Sequence, residues 1–245
     1  MNIQPYIILN GTNSRSIQGL LISKLAPISK PPVRTQIEEI DGRSGDIVTP
    51  LGYGAYDKTV SIGLTYNYDI DEIIAFFNSS GEIIFSNEPD KVYKFAIYDQ
   101  IDFEKLIKFK TAEITLHVQP YKSSSSETEL VFDDTSEPIT VVNNGNIYSR
   151  PTLTIAGYGT INLILNGSQL LTINLEDDED EDEPEPQTII INAEAMNAYS
   201  VDNTLLNRLV SGNYDNIKFN IGNNTISFVG GSVSQLKVDK YSRWI

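Results

Sequence analysis

The nine residues Phe85-Ser86-Asn87-Glu88-Pro89-Asp90-Lys91-Val92-Tyr93 lie between the clearest helix of the sequence and a long alternating strand pair. Pro89 fixes its own backbone φ and pushes Glu88 toward extended geometry. The chain must therefore leave one strand after Phe85 and enter the next at Val92. We predict that Phe85 and Tyr93 anchor a hydrophobic core, and that the residues between them form a rigid polar corner without catalytic chemistry.

The helix before this corner is predicted from its cap and its spacing. Asp69 stands at the N-cap position with Glu72 three residues later, which is the pattern of a capping box. Apolar residues then recur at helical spacing and predict one apolar stripe, made of Ile70, Ile73, Ile74 and Phe77. About three turns cannot form a stable helix alone, so we expect it to lie on a sheet.

The rest of the first half is predicted to be β-structure. Alternation is clearest over 57–66, where Val60, Ile62 and Leu64 share one face, and over 112–118. Shorter strands are predicted at 6–9, 17–25, 36–40, 82–86 and 91–98, and a turn at 102–104. Pro27, Pro31 and Pro32 pair poorly in sheets and indicate a loop or an arm. Residues 41–46 form a polar loop with two glycines.

The second half consists of short apolar runs separated by Asn-Gly and Gly-rich turns. Strands are predicted at 139–142, 152–155, 161–165, 170–174, 188–192, 217–221, 225–228 and 235–238, with a helical turn at 203–209. This spacing favours a β-sandwich or jelly roll. Four consecutive serines at 123–126 indicate a linker. We therefore divide the chain into an N-terminal domain (1–122), a linker (123–138) and a C-terminal β-sandwich (139–245).

The charge of the chain is concentrated in one place. The formal net charge is −15, and nine of the acidic residues lie in the run 176–185. We interpret this run as a solvated, self-repelling loop; a calcium or other cation site is the alternative, but the glycine and the regular alternation of a calcium loop are missing. Outside the run the surface is only mildly acidic, so the sequence has no basic footprint for gripping nucleic acid.

No catalytic or cofactor-binding pattern is present. The sequence has no cysteine, and its single histidine, His117, lies on the polar face of a strand. There is no Gly-x-Ser-x-Gly motif and no P-loop, and no pair of carboxylates stands in a context that separates their pKa values. We expect no enzyme activity, no cofactor and no metal. We also expect no signal peptide and no membrane insertion, since no apolar run approaches about 20 residues.

The order of several short motifs carries a resemblance to a known family. The motifs are Asn10-Gly11, Gly19-Leu20-Leu21-Ile22, 40–46, 70–73, 85–90, Asp102-Phe103-Glu104, Gln119-Pro120-Tyr121, Asn144-Gly145-Asn146, Ser149-Arg150-Pro151, Asn166-Gly167, 222–226 and Tyr241-Ser242-Arg243-Trp244. In this order the chain resembles, over nearly its whole length, the distal tail (Dit) proteins of long-tailed phages and phage-derived tail particles. The acidic run departs from the family pattern, in which a short hairpin loop is expected.

The resemblance implies a structural virion protein with two mainly β domains. The N-terminal domain is then a β-barrel or sandwich with one short α-helix that forms a ring, usually a hexamer, at the tail tip. The C-terminal domain is a galectin-like or carbohydrate-module-like jelly roll. The implied partners are further copies of the chain, the major tail tube protein and the tail-associated hub or lysin protein, and the tape-measure and receptor-binding proteins are further candidates. DNA would pass through without specific binding.

The same resemblance implies assembly in the host cytoplasm and a final location at the virion tail tip. A ring needs a head-to-tail interface that closes on itself. Polar loops with Gly or Pro suit such contacts, and the predicted contact residues are Pro27, Pro31, Pro32, Asp41, Arg43, Asp46, Asn87, Glu88 and Asp90. For the corner at 87–90, satisfaction of backbone donors is the favoured role, and contact with a neighbouring subunit is the alternative. The alternative for the whole chain is a glycan-binding module in host adhesion, although the one Trp, Trp244, lies at the C-terminus.

Overall fold

The computed structural model describes residues 4–78, 80–175 and 186–245. The chain forms two compact units, one ending at Ser125 and the other extending from Ser126 to Trp244. Both are mainly β, as predicted. The helices within the described ranges are all too short or too polar to span a bilayer.

The N-terminal unit contains strands and two short helices. They are β1 (Ile7–Leu9), β2 (Thr12–Asn13), β3 (Leu20–Lys24), β4 (Val33–Glu38), β5 (Ile47–Tyr53), β6 (Tyr56–Leu64), α1 (Ile70–Phe77), β7 (Gly81–Phe85), β8 (Lys91–Ala96), α2 (Phe103–Phe109) and β9 (Thr111–Ser124).

The main sheet of this unit is antiparallel, with the order β2-β1-β7-β8-β9-β6-β3. Its inner face is the one that the alternation predicted, because Val60 and Ile62 of β6 and Ile114, Leu116 and Val118 of β9 are all buried. Side chains at every second strand position point to the same face, so these two strands supply one side of the core.

Helix α1 begins where predicted, but its details differ. The Asp69 carboxylate accepts hydrogen bonds from the backbone N–H groups of Asp71 and Glu72. Glu72 does not return the bond: its carboxylate accepts from the Gln18 backbone N–H at 3.1 Å. The predicted stripe is also wrong in part. Besides Ile73 and Phe77, the helix buries Phe76, whereas Ile74 is exposed.

The prediction of a single short helix in this domain is wrong. Residues 102–104 do not form a simple turn, because Asp102 caps α2 by accepting from the Lys105 backbone N–H at 2.9 Å. The helix ends at Lys110, whose φ of 58° is left-handed. It buries Leu106 completely and packs Phe103 partly buried against the same core, and two such residues in seven are too few to give a clear helical period in the sequence.

Strands β4 and β5 form a two-stranded antiparallel hairpin outside the main sheet, and we call residues 33–53 the arm. The arm begins directly after the proline segment and extends further than the predicted strand at 36–40. Every residue of β4 is exposed. A two-stranded hairpin with no covering layer is only marginally stable in water. A second surface packed on the arm would therefore stabilise it.

The described residues of the C-terminal unit, 126–175 and 186–244, form strands and loops, with single turns of 3-10 helix at Asn207–Leu209 and Tyr214–Asn216. The strands are β10 (Leu130–Phe132), β11 (Ile139–Asn143), β12 (Thr152–Leu165), β13 (Ser168–Leu175), β14 (Gln187–Asn192), β15 (Asn197–Tyr199), β16 (Val210–Gly212), β17 (Gly222–Val229), β18 (Ser232–Asp239) and β19 (Arg243–Trp244).

The central strand of this unit, β12, belongs to two sheets. Residues 152–157 pair with β14, and 152–158 pair with β18, whereas the second half pairs with β13 and β17. The separate strands predicted at 152–155 and 161–165 are therefore one strand that bends at Gly157-Tyr158-Gly159. A Cβ on Gly157 would lie 2.2 Å from the Ser232 carbonyl oxygen, so the bend requires glycine. Both halves bury apolar residues in one core.

Two further predictions for this half need correction. The range assigned to a linker, 123–138, contains the end of β9 and strand β10, whose Leu130 and Phe132 pack on the core. No strand forms at 217–221, where Phe219 makes an isolated bridge with Ser149 and Ile217 and Phe219 are buried. The acidic run at 176–185 lies outside the described residues.

Candidate interaction surfaces of the N-terminal unit

The corner between β7 and β8 is built on two buried aromatic rings, as predicted. Phe85 ends β7, Tyr93 lies in β8, and both are almost fully buried. Their rings meet edge to face, with centroids 5.3 Å apart and planes at 83°. This is the favourable geometry for an aromatic pair, so the corner is fixed to the core at both ends.

Glu88 points from the corner into the unit. Its carboxylate accepts a hydrogen bond from Lys122 Nζ at 2.8 Å and another from the Tyr93 hydroxyl. Only 12% of the Glu88 side chain and 7% of the Lys122 side chain is exposed. Charge-assisted hydrogen bonds of this kind are stronger than neutral ones, and here they join β8 and β9 to the corner.

A second buried cation, Lys58 of β6, lies beside this pair. Its Nζ donates to the Pro27 carbonyl oxygen at 2.7 Å and lies 5.2 Å from the Tyr93 ring centroid and 5.4 Å from that of Phe85. The residue is 3% exposed. The aromatic faces and the carbonyl group therefore replace the water that a lysine normally keeps.

The electrostatics of this cluster follow from burial. Desolvation lowers the pKa of the Lys58 ammonium, and the charge of Lys122 lowers it further, while Glu88 acts in the opposite direction. The pKa of the Tyr93 hydroxyl is raised far above its ordinary value, chiefly by burial and then by its hydrogen bond to Glu88. Two ammonium groups thus share one carboxylate in a low-dielectric site.

The burial of both lysines is indicated by the sequence, although we did not predict it. Lys58 is in phase with Val60 and Ile62, and Lys122 is in phase with Leu116 and Val118, so alternation places both ammonium groups on the core face. A charged residue in phase with a buried stripe indicates a buried partner of opposite charge, and Glu88 is that partner.

Two side chains, those of Asn87 and Lys58, hold the segment that leads to the arm. The Asn87 side-chain amide donates to the Ala26 carbonyl oxygen at 3.1 Å, and Lys58 holds the next carbonyl, that of Pro27. Of the prolines predicted to make contacts, Pro27 and Pro32 are exposed, whereas Pro31 is buried. The Pro32 carbonyl accepts from the Gly54 backbone N–H at 2.8 Å and closes the base of the arm.

The remaining predicted contact residues are exposed. Asp41, Arg43 and Asp46 lie at the tip of the arm between β4 and β5. At the corner, the Asp90 carboxylate pairs with Lys91 Nζ at 2.5 Å, and this hydrogen bond is the main cause of its lowered pKa. The structure thus places the predicted residues in two groups. One is the arm with the proline segment that precedes it, and the other is the corner. Their role in contacts between copies remains a prediction.

The single histidine forms a pair on the polar face of the main sheet. His117 Nδ1 lies 2.8 Å from an Asp57 carboxylate oxygen, and the two residues are directly opposite in the β6–β9 ladder. Among residues 4–78, 80–175 and 186–245, no group of three or more His, Cys, Asp or Glu side chains is arranged to hold a metal ion.

Comparisons by sequence find no relative: no family model matches the chain, and no curated protein matches it. Solved structures do match. The crystal structure of the SPP1 Dit protein, described as a paradigm of the hub adsorption apparatus in phages that infect Gram-positive bacteria, superposes with a TM-score of 0.64 at 13% identity. The match covers 96% of this chain and 97% of that one.

Two chains from the phage P2 baseplate in its activated conformation, with Ca and with Sr, cover the same shares at TM-scores of 0.47 and 0.49 and identities of 11% and 12%. The SPP1 match includes both units of the chain. The resemblance that the order of motifs indicated is thus confirmed at the level of structure, and this chain has the fold of a phage distal tail protein.

Proposed function

We propose that the chain is a structural protein of a phage-type tail tip, which assembles into a ring, hexameric in its complete form. The observation that carries this proposal is the likeness to the SPP1 Dit protein over 96% of the chain. In the proposed assembly the ring joins the tail tube protein above it to a hub protein below it, and baseplate or receptor-binding proteins attach at its periphery.

The structure of the N-terminal unit supports an assembly role. In the part of the chain that the structure describes, no layer covers the exposed arm, and such a hairpin gains stability when another surface buries its apolar side. A contact between two different patches of identical chains repeats from copy to copy and closes into a ring if the rotation allows.

The charge of the unit suits a passage for DNA. Residues 1–122 contain 15 acidic and 12 basic residues, so a ring of these units has a mildly negative balance. A negative wall does not retain a polyanion, and DNA can pass without binding. A lumen lined mainly by Lys and Arg in an assembled ring would contradict this part of the proposal.

The assembly is tested with the purified full-length chain. We expect mass photometry to show a species with the mass of six 27.3-kDa chains, and negative-stain images to show rings with a central opening. A chain that remains monomeric at every concentration would contradict the ring.

The location is tested on the particle that carries this protein. Gold-labelled antibodies against the chain should bind only at the distal end of the tail in electron micrographs. Labelling of the capsid, or along the whole tail, would contradict a tail-tip role. Retention of the monomer on immobilised host glycans would instead favour the adhesion module.

A further inference from the structure

The N-terminal unit has a groove that its own side chains leave open. It lies between α1 and residues 97–103 and has a volume of about 590 Å³. Apolar and aromatic side chains line it, among them Ile74, Ile97, Tyr98 and Phe103, together with the polar residues Asn78, Ser80 and Asp99. Ile74 and Tyr98 are exposed, which is unusual for large apolar side chains grouped in one depression.

The surface next to the groove continues its apolar character and adds positive charge. Helix α2 begins at Phe103, a residue of the groove lining, and exposes Ile107 and Phe109. Residues 103–110 contain three lysines, Lys105, Lys108 and Lys110, and one glutamate. Within the described parts of the chain, none of these lysines has a carboxylate at ion-pair distance; Lys108 and Lys110 lie over the rings of Phe109 and Tyr68.

The arm has the complementary features. Ile37 and Val48 face each other across the β4–β5 ladder, and they are 59% and 56% exposed. Val33, Ile40 and Leu51 extend this exposed apolar character along the arm. The tip, residues 38–46, contains four acidic residues and one arginine. An apolar ribbon with an acidic tip therefore stands on the same chain as a groove that exposes Ile74 and Tyr98 and is bordered by three lysines.

The arm does not fill the groove of its own chain, since both are exposed in the structure. We propose that the arm of one copy docks in the groove of the next, with Ile37 and Val48 against α1 and the acidic tip near Lys105 and Lys108. This inference rests on the proposed ring and specifies its interface. The two patches are different and lie on one unit, so the contact is heterologous and repeats around a closed ring.

A second copy of the chain matches this surface both in its apolar side chains and in the sign of its charge. Apolar area on both sides would be removed from water, which is the main driving force for association. The unpaired lysines would gain carboxylates, and opposite charges at an interface fix its register and exclude wrong pairings. A basic partner in the groove would instead place positive charge next to Lys105 and Lys108 and be repelled.

Disulfide trapping tests the inference directly, because the natural chain has no cysteine. In the full-length chain we would combine Val48→Cys on the arm with Ile74→Cys in the groove. Mild oxidation of the assembled protein should give a ladder of covalent oligomers on a non-reducing gel, ending at the ring. The matched control combines Val48→Cys with Val201→Cys, an exposed residue of the other unit, and should give no ladder.

The possible outcomes separate this interface from the ring itself. If electron micrographs show rings but the gel shows no ladder of covalent oligomers, the arm-in-groove contact is wrong and the proposed function is unaffected. Covalent dimers from Val48→Cys alone would show arm-to-arm pairing and also overturn it. The absence of any oligomer would contradict the ring as well.

Reversal of charge gives a second test that does not depend on cysteine geometry. The double variant Lys105→Glu and Lys108→Glu should weaken assembly at least tenfold. Addition of Asp41→Lys and Asp46→Lys on the arm should restore most of the loss. A fourfold variant that assembles no better than the first pair would overturn the proposed register.

Discussion

Lys122 Nζ lies 2.8 Å from a carboxylate oxygen of Glu88, and both side chains are almost completely enclosed. The pair joins the far end of β9 to the corner between β7 and β8. Removal of one member of a buried ion pair is costly because it leaves the other charge without compensation. In this unit the cost is increased by Lys58, a second ammonium group that the same carboxylate faces.

The first prediction follows from this imbalance. Glu88→Gln should destabilise the N-terminal unit by about 3–5 kcal/mol, since two buried ammonium groups then lack any carboxylate. The loss is measured locally, by hydrogen exchange of peptides from residues 81–96 at increasing urea concentration. The double variant Glu88→Gln with Lys122→Met should recover most of the loss.

The control for this prediction is the neighbouring exposed acid. Asp90→Asn removes a carboxylate that pairs with Lys91 and is itself 71% exposed, and a pair screened by solvent in this way contributes at most about 1 kcal/mol. We expect little change in the exchange of the same peptides. Equal losses for Glu88→Gln and Asp90→Asn would show that burial of the pair does not matter.

The second prediction concerns pH. The pKa of Lys58 is lowered in the folded unit, so between that pKa and the unfolded value of about 10.4 the unfolded chain binds more protons. The free energy of unfolding of the natural protein should therefore rise with pH in this window, relative to Lys58→Met. Below the lowered pKa both states are protonated, and the difference between the two proteins should be constant.

The measurement is a series of urea titrations of both proteins from pH 7 to pH 10. Differences between the proteins cancel the titration of Tyr56 and Tyr93, whose raised pKa values act in the opposite direction at the alkaline end. Parallel pH profiles for the two proteins would show that Lys58 does not titrate differently in the folded state.

The third prediction concerns the arm. Ile37→Asn with Val48→Thr should abolish oligomers in mass photometry and leave the thermal unfolding of the monomer unchanged, because both side chains are exposed in the single chain. Tyr66→Ser, a substitution of a fully exposed aromatic residue outside the arm, is the matched control and should assemble normally. Assembly of the arm variant at natural strength would exclude the arm from the interface.

The fourth prediction concerns the bend of β12. Gly157→Ala places a Cβ 2.2 Å from a backbone oxygen, and overpacking of this kind costs about 1–3 kcal/mol or more. Hydrogen exchange of peptides from residues 152–165 at increasing urea concentration reports the unfolding around the bend. Gly63→Ala in β6, followed in peptides from residues 56–64, is the control, since its Cβ would find ordinary contacts at 3.5 Å and longer. Similar small effects at both positions would contradict the steric role of Gly157.

Much of the fold could be predicted because two periodic signals are strong. The alternation in β6 and β9 identified the inner face of the main sheet, and Asp69 located the start of α1. Helix α2 could not be predicted, since only Leu106 is fully buried and the remaining apolar residues reach the surface. The continuity of β12 was also hidden, because a Gly-Tyr-Gly sequence has the composition of a turn whether the strand ends there or bends.

The candidate surfaces were predicted less completely. Loop composition identified the arm tip and the corner, but it assigned Pro31 and Glu88 to contact surfaces, and the structure buries Pro31 and directs Glu88 inward. The groove could not be predicted, because its lining comes from α1, β8 and the segment before α2, which are separate in sequence. Apolar periodicity also made Ile74 a core residue, whereas the helix buries Phe76 and leaves Ile74 exposed.

The sharing of β12 between two sheets has a mechanical consequence. Sheets that only pack face to face can slide apart under tension by breaking side-chain contacts. Here a pull applied to one sheet reaches the other along a continuous covalent backbone of 14 residues. Separation of the two layers therefore requires rupture of ladder hydrogen bonds on both sides of that strand.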